Sequence, residues 1–105
     1  MKKFREFLDE YEKKYKNCTK IIKEVKYEEN QTIVEIKYYY DCDKDKNYYT
    51  KTKEAVLNDL IKNNAIYKTE DDKGNRTDVS PVSGKYIRAD KNNTKEDNLG
   101  ELPEF

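Results

Sequence analysis

Four groups of residues in this 105-residue chain offer chemistry, and each points to a different kind of site. Asp41-x-Asp43-x-Asp45 imitates the opening of an EF-hand calcium loop. Counted from Asp41, however, the sixth position holds Lys46 where the turn needs glycine, the twelfth holds Thr52 where a bidentate glutamate belongs, and Lys44 repels a cation. The triplet therefore reads as a solvated acidic loop, with no metal or other cofactor expected. Lys53, Lys85, Tyr86 and Arg88 combine cations with an aromatic face: arginine and the amides at a helix start can hold a phosphate, and a tyrosine can stack on a base. Tyr38-Tyr39-Tyr40 is followed closely by Tyr48 and Tyr49, and tyrosine is enriched at interface hot spots. Cys18 and Cys42 are the fourth group.

The chain has no histidine, which removes Ser-His and Cys-His triads and histidine metal sites together. With 22 acidic residues, a pair of carboxylates somewhere is a matter of chance and marks no active site without a pocket. No catalytic residue is assigned, and the expectation is a non-enzymatic protein. For the cysteines, a hairpin turning at residues 28 to 31 gives opposed residues numbers that sum to about 60, as those of Cys18 and Cys42 do. The pair then lies within disulfide reach at the hairpin's open end, provided the ladder runs that far. In a reducing cytoplasm the favoured reading is two buried thiols.

Length and composition set the frame for these groups. A chain of 105 residues supports one domain, 1–105. Charged residues are 42% and hydrophobic residues 34%, but 22 basic residues balance 22 acidic ones and there are 10 tyrosines, so a folded domain with a charged skin is expected rather than a disordered chain. Zero formal charge removes the broad footprint of a non-specific nucleic-acid binder. No apolar run reaches the length of a membrane span or signal core, so the expected address is cytoplasmic.

The elements that would position the groups follow from hydrophobic periodicity. Phe4, Phe7, Leu8, Tyr11 and Tyr15 lie on one stripe of a helix over residues 1–17. Packing on its own sheet is the plain reading of that stripe; a partner-binding or dimerising helix is the sharper one. Ile21 to Tyr27 and Thr32 to Cys42 read as a β-hairpin, with Val34, Ile36, Tyr38, Tyr40 and Cys42 on one face and Ile33, Glu35, Lys37, Tyr39 and Asp41 on the other. Thr52 caps a second helix whose stripe is Val56, Leu57, Leu60 and Ile61, and Asn63-Asn64 ends it. Ala65 to Glu70, a turn at Gly74, a weaker strand from Arg76 to Val82 that Pro81 interrupts, and Lys85 to Ala89 complete the series. The expected class is α+β: N-terminal helix, β-hairpin, second helix, then two or three antiparallel strands and a docked C-terminal tail, with one sheet and its helices on one face.

The tail keeps Leu99, Leu102 and Phe105 apolar where a terminus usually dissolves into charge. Its wording, Tyr86-Ile87-Arg88-x-Asp90 running into Asp97-Asn98-Leu99-Gly100-x-Leu102-Pro103 and a final aromatic, resembles the closing signature of DUF3892, a bacterial family of unknown function. The resemblance covers residues 20–105 as a family-like core and leaves the helix over 1–17 as an addition. It implies no activity. Two readings of the signature stand side by side: a phosphate site built on Arg88, or an Arg88 that pairs with Asp90, Asp97 or Glu101 and clamps the tail.

Function is then expected from the surface. The first expectation is a binding or inhibitor protein whose partner is another protein, met through Tyr39, Tyr48 and Tyr49. The histidine-free, Lys-, Asn- and Tyr-rich composition is that of proteins from phages or mobile elements, which commonly act on host defence proteins. The alternative is a protein that sequesters a nucleotide through Lys53, Lys85, Tyr86 and Arg88, as an oligomer such as a homodimer; a carboxylate-based enzyme is a third option.

Overall fold

β1 (Lys20–Tyr27) and β2 (Ile33–Tyr40) pair as an antiparallel hairpin. Their β-branched and aromatic residues suit a pleated, half-buried surface. In the computed structural model, which describes residues 18–28, 32–90 and 94–105, Glu28 N–H donates to the Thr32 carbonyl at 2.9 Å and closes the turn end of this hairpin. The N-terminal helix expected over residues 1–17 lies outside the described residues.

Simple alternation fails in this hairpin at two places. Lys23 has no partner between the pairs Ile22–Tyr38 and Glu24–Lys37, and Val34 has none between Glu35–Lys26 and Ile33–Tyr27. Each extra residue is a bulge that reverses which parity faces inward. Ile22 and Val25 consequently share the core, as do Ile33 and Ile36. This corrects the expectation that Val34 points in and Ile33 out.

β3 (Tyr49–Thr52) extends the sheet beside β2, and α1 (Lys53–Lys62) follows without a linker. Thr52 Oγ1 accepts the Ala55 N–H at 3.2 Å as the N-cap. At the other end Asn64 takes a positive φ of 51°, a conformation that asparagine tolerates better than most residues. β4 (Tyr67–Glu70) and β5 (Arg76–Asp78) form a hairpin whose turn uses Gly74 at φ 85°. β6 (Ser80–Val82) and β7 (Tyr86–Arg88) form a separate two-stranded sheet.

The five-stranded sheet runs β3-β2-β1-β4-β5, and β4 lies parallel to β1. The expected α+β class, with one antiparallel sheet and two helices on one face, is therefore corrected. The fold is mostly β, with a mixed sheet, a second small sheet and one short helix among the described residues. The reason is physical: α1 carries the chain across the sheet, so the next strand returns beside β1 in the same direction, as a helical crossover requires. The Arg76–Val82 run breaks at Val79 rather than at Pro81, and its second half leaves for the small sheet.

α1 packs against β2, β3, β6 and β7. Val56 and Leu57 of α1, Ile87 of β7, and Leu99 and Leu102 of the tail meet Ile22, Val25, Ile36, Tyr38, Tyr40 and Tyr67 in one core on this face. Burying each leucine contributes about 2 kcal/mol before entropy is counted. Ile61, expected in the buried stripe, is exposed.

Candidate functional site

Two of the residues named for a phosphate site, Arg88 and Lys53, converge on the tail, where they meet the carboxylates of Asp90 and Asp97 rather than open space. Arg88 is 5% exposed. Its Nε and Nη2 donate to the two carboxylate oxygens of Asp90 at 2.8 and 2.7 Å, and its Nη1 donates to the Glu96 carbonyl at 2.9 Å. This two-pronged pairing fixes geometry as well as charge. Asp90 raises the Arg88 pKa further, chiefly through these bonds. Lys53 reaches across to Asp97 at 2.9 Å and lies over the Tyr86 ring, 5.8 Å from its centre. Lys85 stays exposed in the β6–β7 turn. Of the two readings of the signature, the geometry matches the clamp.

Asp97, which the sequence offered only as one of three partners for Arg88, is the centre of this knot. Its side chain is 1% exposed. One oxygen accepts the Ile33 N–H of β2 at 3.0 Å and the Lys53 ammonium of α1; the other accepts the Ile87 N–H of β7 at 3.0 Å. Three elements distant in sequence thus meet on one carboxylate. Asn98 continues the pattern: its backbone N–H donates to the Ile87 carbonyl and its side chain accepts the Gly100 N–H, with Gly100 at φ 78°. Beyond it, Val25 N–H donates to Pro103 and Phe105 N–H to Val25, so the tail runs parallel to β1 where β4 has ended.

The tyrosines expected to form an exposed patch do not share one. Tyr39 is 3% exposed, and Tyr49 is half-buried against Tyr38 and Tyr40 in the core. Tyr48 alone of the three stands out, 53% exposed. Its ring meets that of Tyr39 edge-on, with centres 5.8 Å apart, and Lys46 lies 5.7 Å from the Tyr39 ring centre.

Beneath Tyr48 is a charged network on the face of the sheet opposite the core. Tyr39 Oη donates to Glu70 at 3.1 Å, Arg76 Nε donates to Glu70 at 2.9 Å, and Lys23 pairs with Glu70 at 3.2 Å. Arg76 Nη2 reaches Asp41 at 3.1 Å. Burial would push the Glu70 carboxyl up, but bonds from Arg76, Lys23 and Tyr39 outweigh it and hold the pKa below the ordinary value. Burial, reinforced by the Glu70 bond, raises the Tyr39 phenol.

The loop carrying Tyr48 is pinned at both ends. Cys18 and Cys42 are joined by a disulfide, with Cα atoms 5.9 Å apart. This corrects the favoured reading of two buried thiols: Cys42 is exposed, and the Asp41 N–H to Thr19 carbonyl bond brings the pair together at the open end of the hairpin. Asp43, read as part of a solvated loop, is buried and organises it, accepting the N–H groups of Asp45 and Asn47 at 3.1 and 3.3 Å. No group of residues suited to a metal ion occurs among the described residues.

A third polar cluster escaped sequence reading. Tyr67 Oη donates to Asp59 at 2.5 Å, Lys51 pairs with Asp59 at 2.8 Å, and Asn63 caps the other oxygen at 3.1 Å. Burial opposes charge on Asp59, yet Lys51 and Tyr67 hold its pKa below the ordinary 3.8. Burial and then Asp59 push the Tyr67 phenol well above its ordinary 10.0. The spacing of Asp59 and Asn63 on a helix was the available signal; Tyr67 and Lys51 come from separate strands. The network is satisfied from within, and the open cleft of about 440 Å³ between Asp71–Asn75 and Gly100–Leu102 lies at another part of the fold.

No helix among the described residues is long and apolar enough to cross a membrane. No curated protein and no solved structure matches the chain. A family model does: "Protein of unknown function (DUF3892)", over residues 20–103, from the start of β1 to the last residue but two. The matched stretch contains the whole sheet, α1 and the Arg88–Asp97 knot, and by that match the chain belongs to the DUF3892 family.

Proposed function

We propose that this chain is a non-enzymatic binding module for another protein, and that Tyr48 is its anchor. The observation that carries the reading is a large, exposed aromatic ring on a loop already held by a disulfide, by Asp43 and by the Tyr39 ring. A side chain ordered before contact loses little entropy on binding, and tyrosine supplies broad contact area with few rotatable bonds. Lys46 over the Tyr39 ring and the Arg76–Asp41 pair, which reaches the Tyr39 hydroxyl, supply polar groups of the kind protein interfaces use at their rims. Tyr39 and Tyr49 serve as support. The composition supports a phage or mobile-element inhibitor of a host defence protein as the setting for such a module.

The nucleotide-sequestering alternative has less to stand on, because Arg88 and Lys53 are spent on Asp90, Glu96 and Asp97. To test the proposal, tagged wild-type protein and Tyr48→Ala are compared as bait in host extract. A partner retained by the wild type and lost about 30-fold or more with Tyr48→Ala is the expected result for a hot spot. Equal recovery with both baits removes Tyr48 from the interface.

A further inference from the structure

β5 is an edge of the five-stranded sheet, and its three residues, Arg76, Thr77 and Asp78, are all exposed. Its pairing with β4 places Thr77 opposite Thr69; on either side, Val79 N–H donates to Tyr67 and Asp71 N–H to Asn75. Bonded and non-bonded pairs alternate along an antiparallel ladder. Thr77 therefore spends its backbone groups on β4, while the N–H and C=O of Arg76 and Asp78 point away from the sheet. Among the described residues no partner takes them up.

We propose that this edge pairs with a second copy of the chain, in antiparallel register about a two-fold axis through Thr77. That register places Arg76 opposite Asp78 of the partner subunit and Asp78 opposite Arg76 of the partner subunit. Each is a bonded pair, so four backbone hydrogen bonds cross the axis. The two side chains of each pair stand on the same face with opposite charge, the arrangement that stabilises directly opposed positions. Charged, short edges ordinarily keep strands apart. Arg-Thr-Asp is different because its charges complement their own reversal; a parallel or shifted register would set like charges together. The other edge strand, Tyr-Thr-Lys-Thr of β3, has no such self-match. Arg76 already bonds Glu70 and Asp41 through Nε and Nη2, and among the described residues its Nη1 makes no bond; the partner's Asp78 would accept from it.

A three-residue strand gives a small interface, so the dimer is a transient one, visible at high concentration. Sedimentation velocity of the full chain over a micromolar-to-millimolar series tests it. The wild type is expected to move toward dimer mass, Asp78→Arg to remain monomeric, and an equimolar mixture of Asp78→Arg with Arg76→Asp to associate again. Because Arg76→Asp also disturbs Glu70, Asp78→Pro provides a second probe: it removes an outward N–H without touching the β4 ladder and is expected to abolish association with an unchanged circular dichroism spectrum. A wild type that stays monomeric throughout, or Asp78→Arg and Asp78→Pro proteins that dimerise like it, overturns the proposal.

Discussion

The Asp97 knot and the Tyr48 corner are assembled from the same materials: an acid at the centre, an arginine and a lysine around it, and tyrosine faces alongside. At the knot, Asp97 draws its donors from β2, α1 and β7 and closes on them with 1% exposure. At the corner, Glu70 gathers Arg76, Lys23 and Tyr39 on the sheet's outer face and leaves a ring exposed above them. The difference is how many backbone groups the acid satisfies. Asp97 accepts two main-chain N–H groups and so belongs to the fold; Glu70 accepts only side chains and so supports a surface. A charged constellation in a sequence signature can thus mark architecture.

The largest effect that tests this contrast is Asp97→Ala. It leaves two buried N–H groups and the Lys53 ammonium without their acceptor, and is expected to cost about 3–5 kcal/mol in urea unfolding. Breaking the staple that orders the corner comes next: Cys42→Ser under non-reducing conditions is expected to cost about 3 kcal/mol, the value for a closed loop of this size.

The Asp59–Tyr67 pair gives a pH signature belonging to neither region and so isolates them. Asp59, with its pKa depressed in the fold, stabilises fully above its unfolded value near 3.8, and that stability is lost as pH falls through the lower folded value. Tyr67, with its pKa raised, stabilises fully below its unfolded value near 10.0; above it, the unfolded chain ionises first and stability falls. Unfolding free energy should therefore drop above about pH 10 by up to about 1.4 kcal/mol per pH unit for this group, followed as a falling urea midpoint, and Tyr67→Phe should flatten that decline. The smallest effect on stability is that of Tyr48→Ala, within about 0.5 kcal/mol of wild type, although it is the substitution expected to abolish partner capture. A Tyr48→Ala protein as unstable as Asp97→Ala would dissolve the comparison.

Local chemistry was legible in the sequence, and long-range convergence was not. The Thr52 cap, the Gly74 turn, the apolar tail and the register that brings Cys18 to Cys42 all follow from residue type and short spacing. The bulges at Lys23 and Val34 do not, because an extra residue leaves no compositional mark, and the one at Val34 reversed the expected facing of Ile33 and Val34. The parallel return of β4 depends on how α1 crosses the sheet. Asp97 and Ile33 are 64 positions apart, and Glu70 gathers partners from β1, β2 and β5; no periodicity joins such residues. Tyr39 was misplaced for the same reason: alternation set it opposite the core, and nothing in the spacing showed that the second face is itself covered there.

The assignment of Arg88 and Lys53 is to the tail rather than to an anion. Thermal melting of the wild-type protein with and without inorganic phosphate and a panel of nucleotides, each at millimolar concentration, tests it most directly. The same midpoint is expected in every condition. A rise of several degrees with any of them, the mass-action signature of a ligand bound to the folded state, would contradict it.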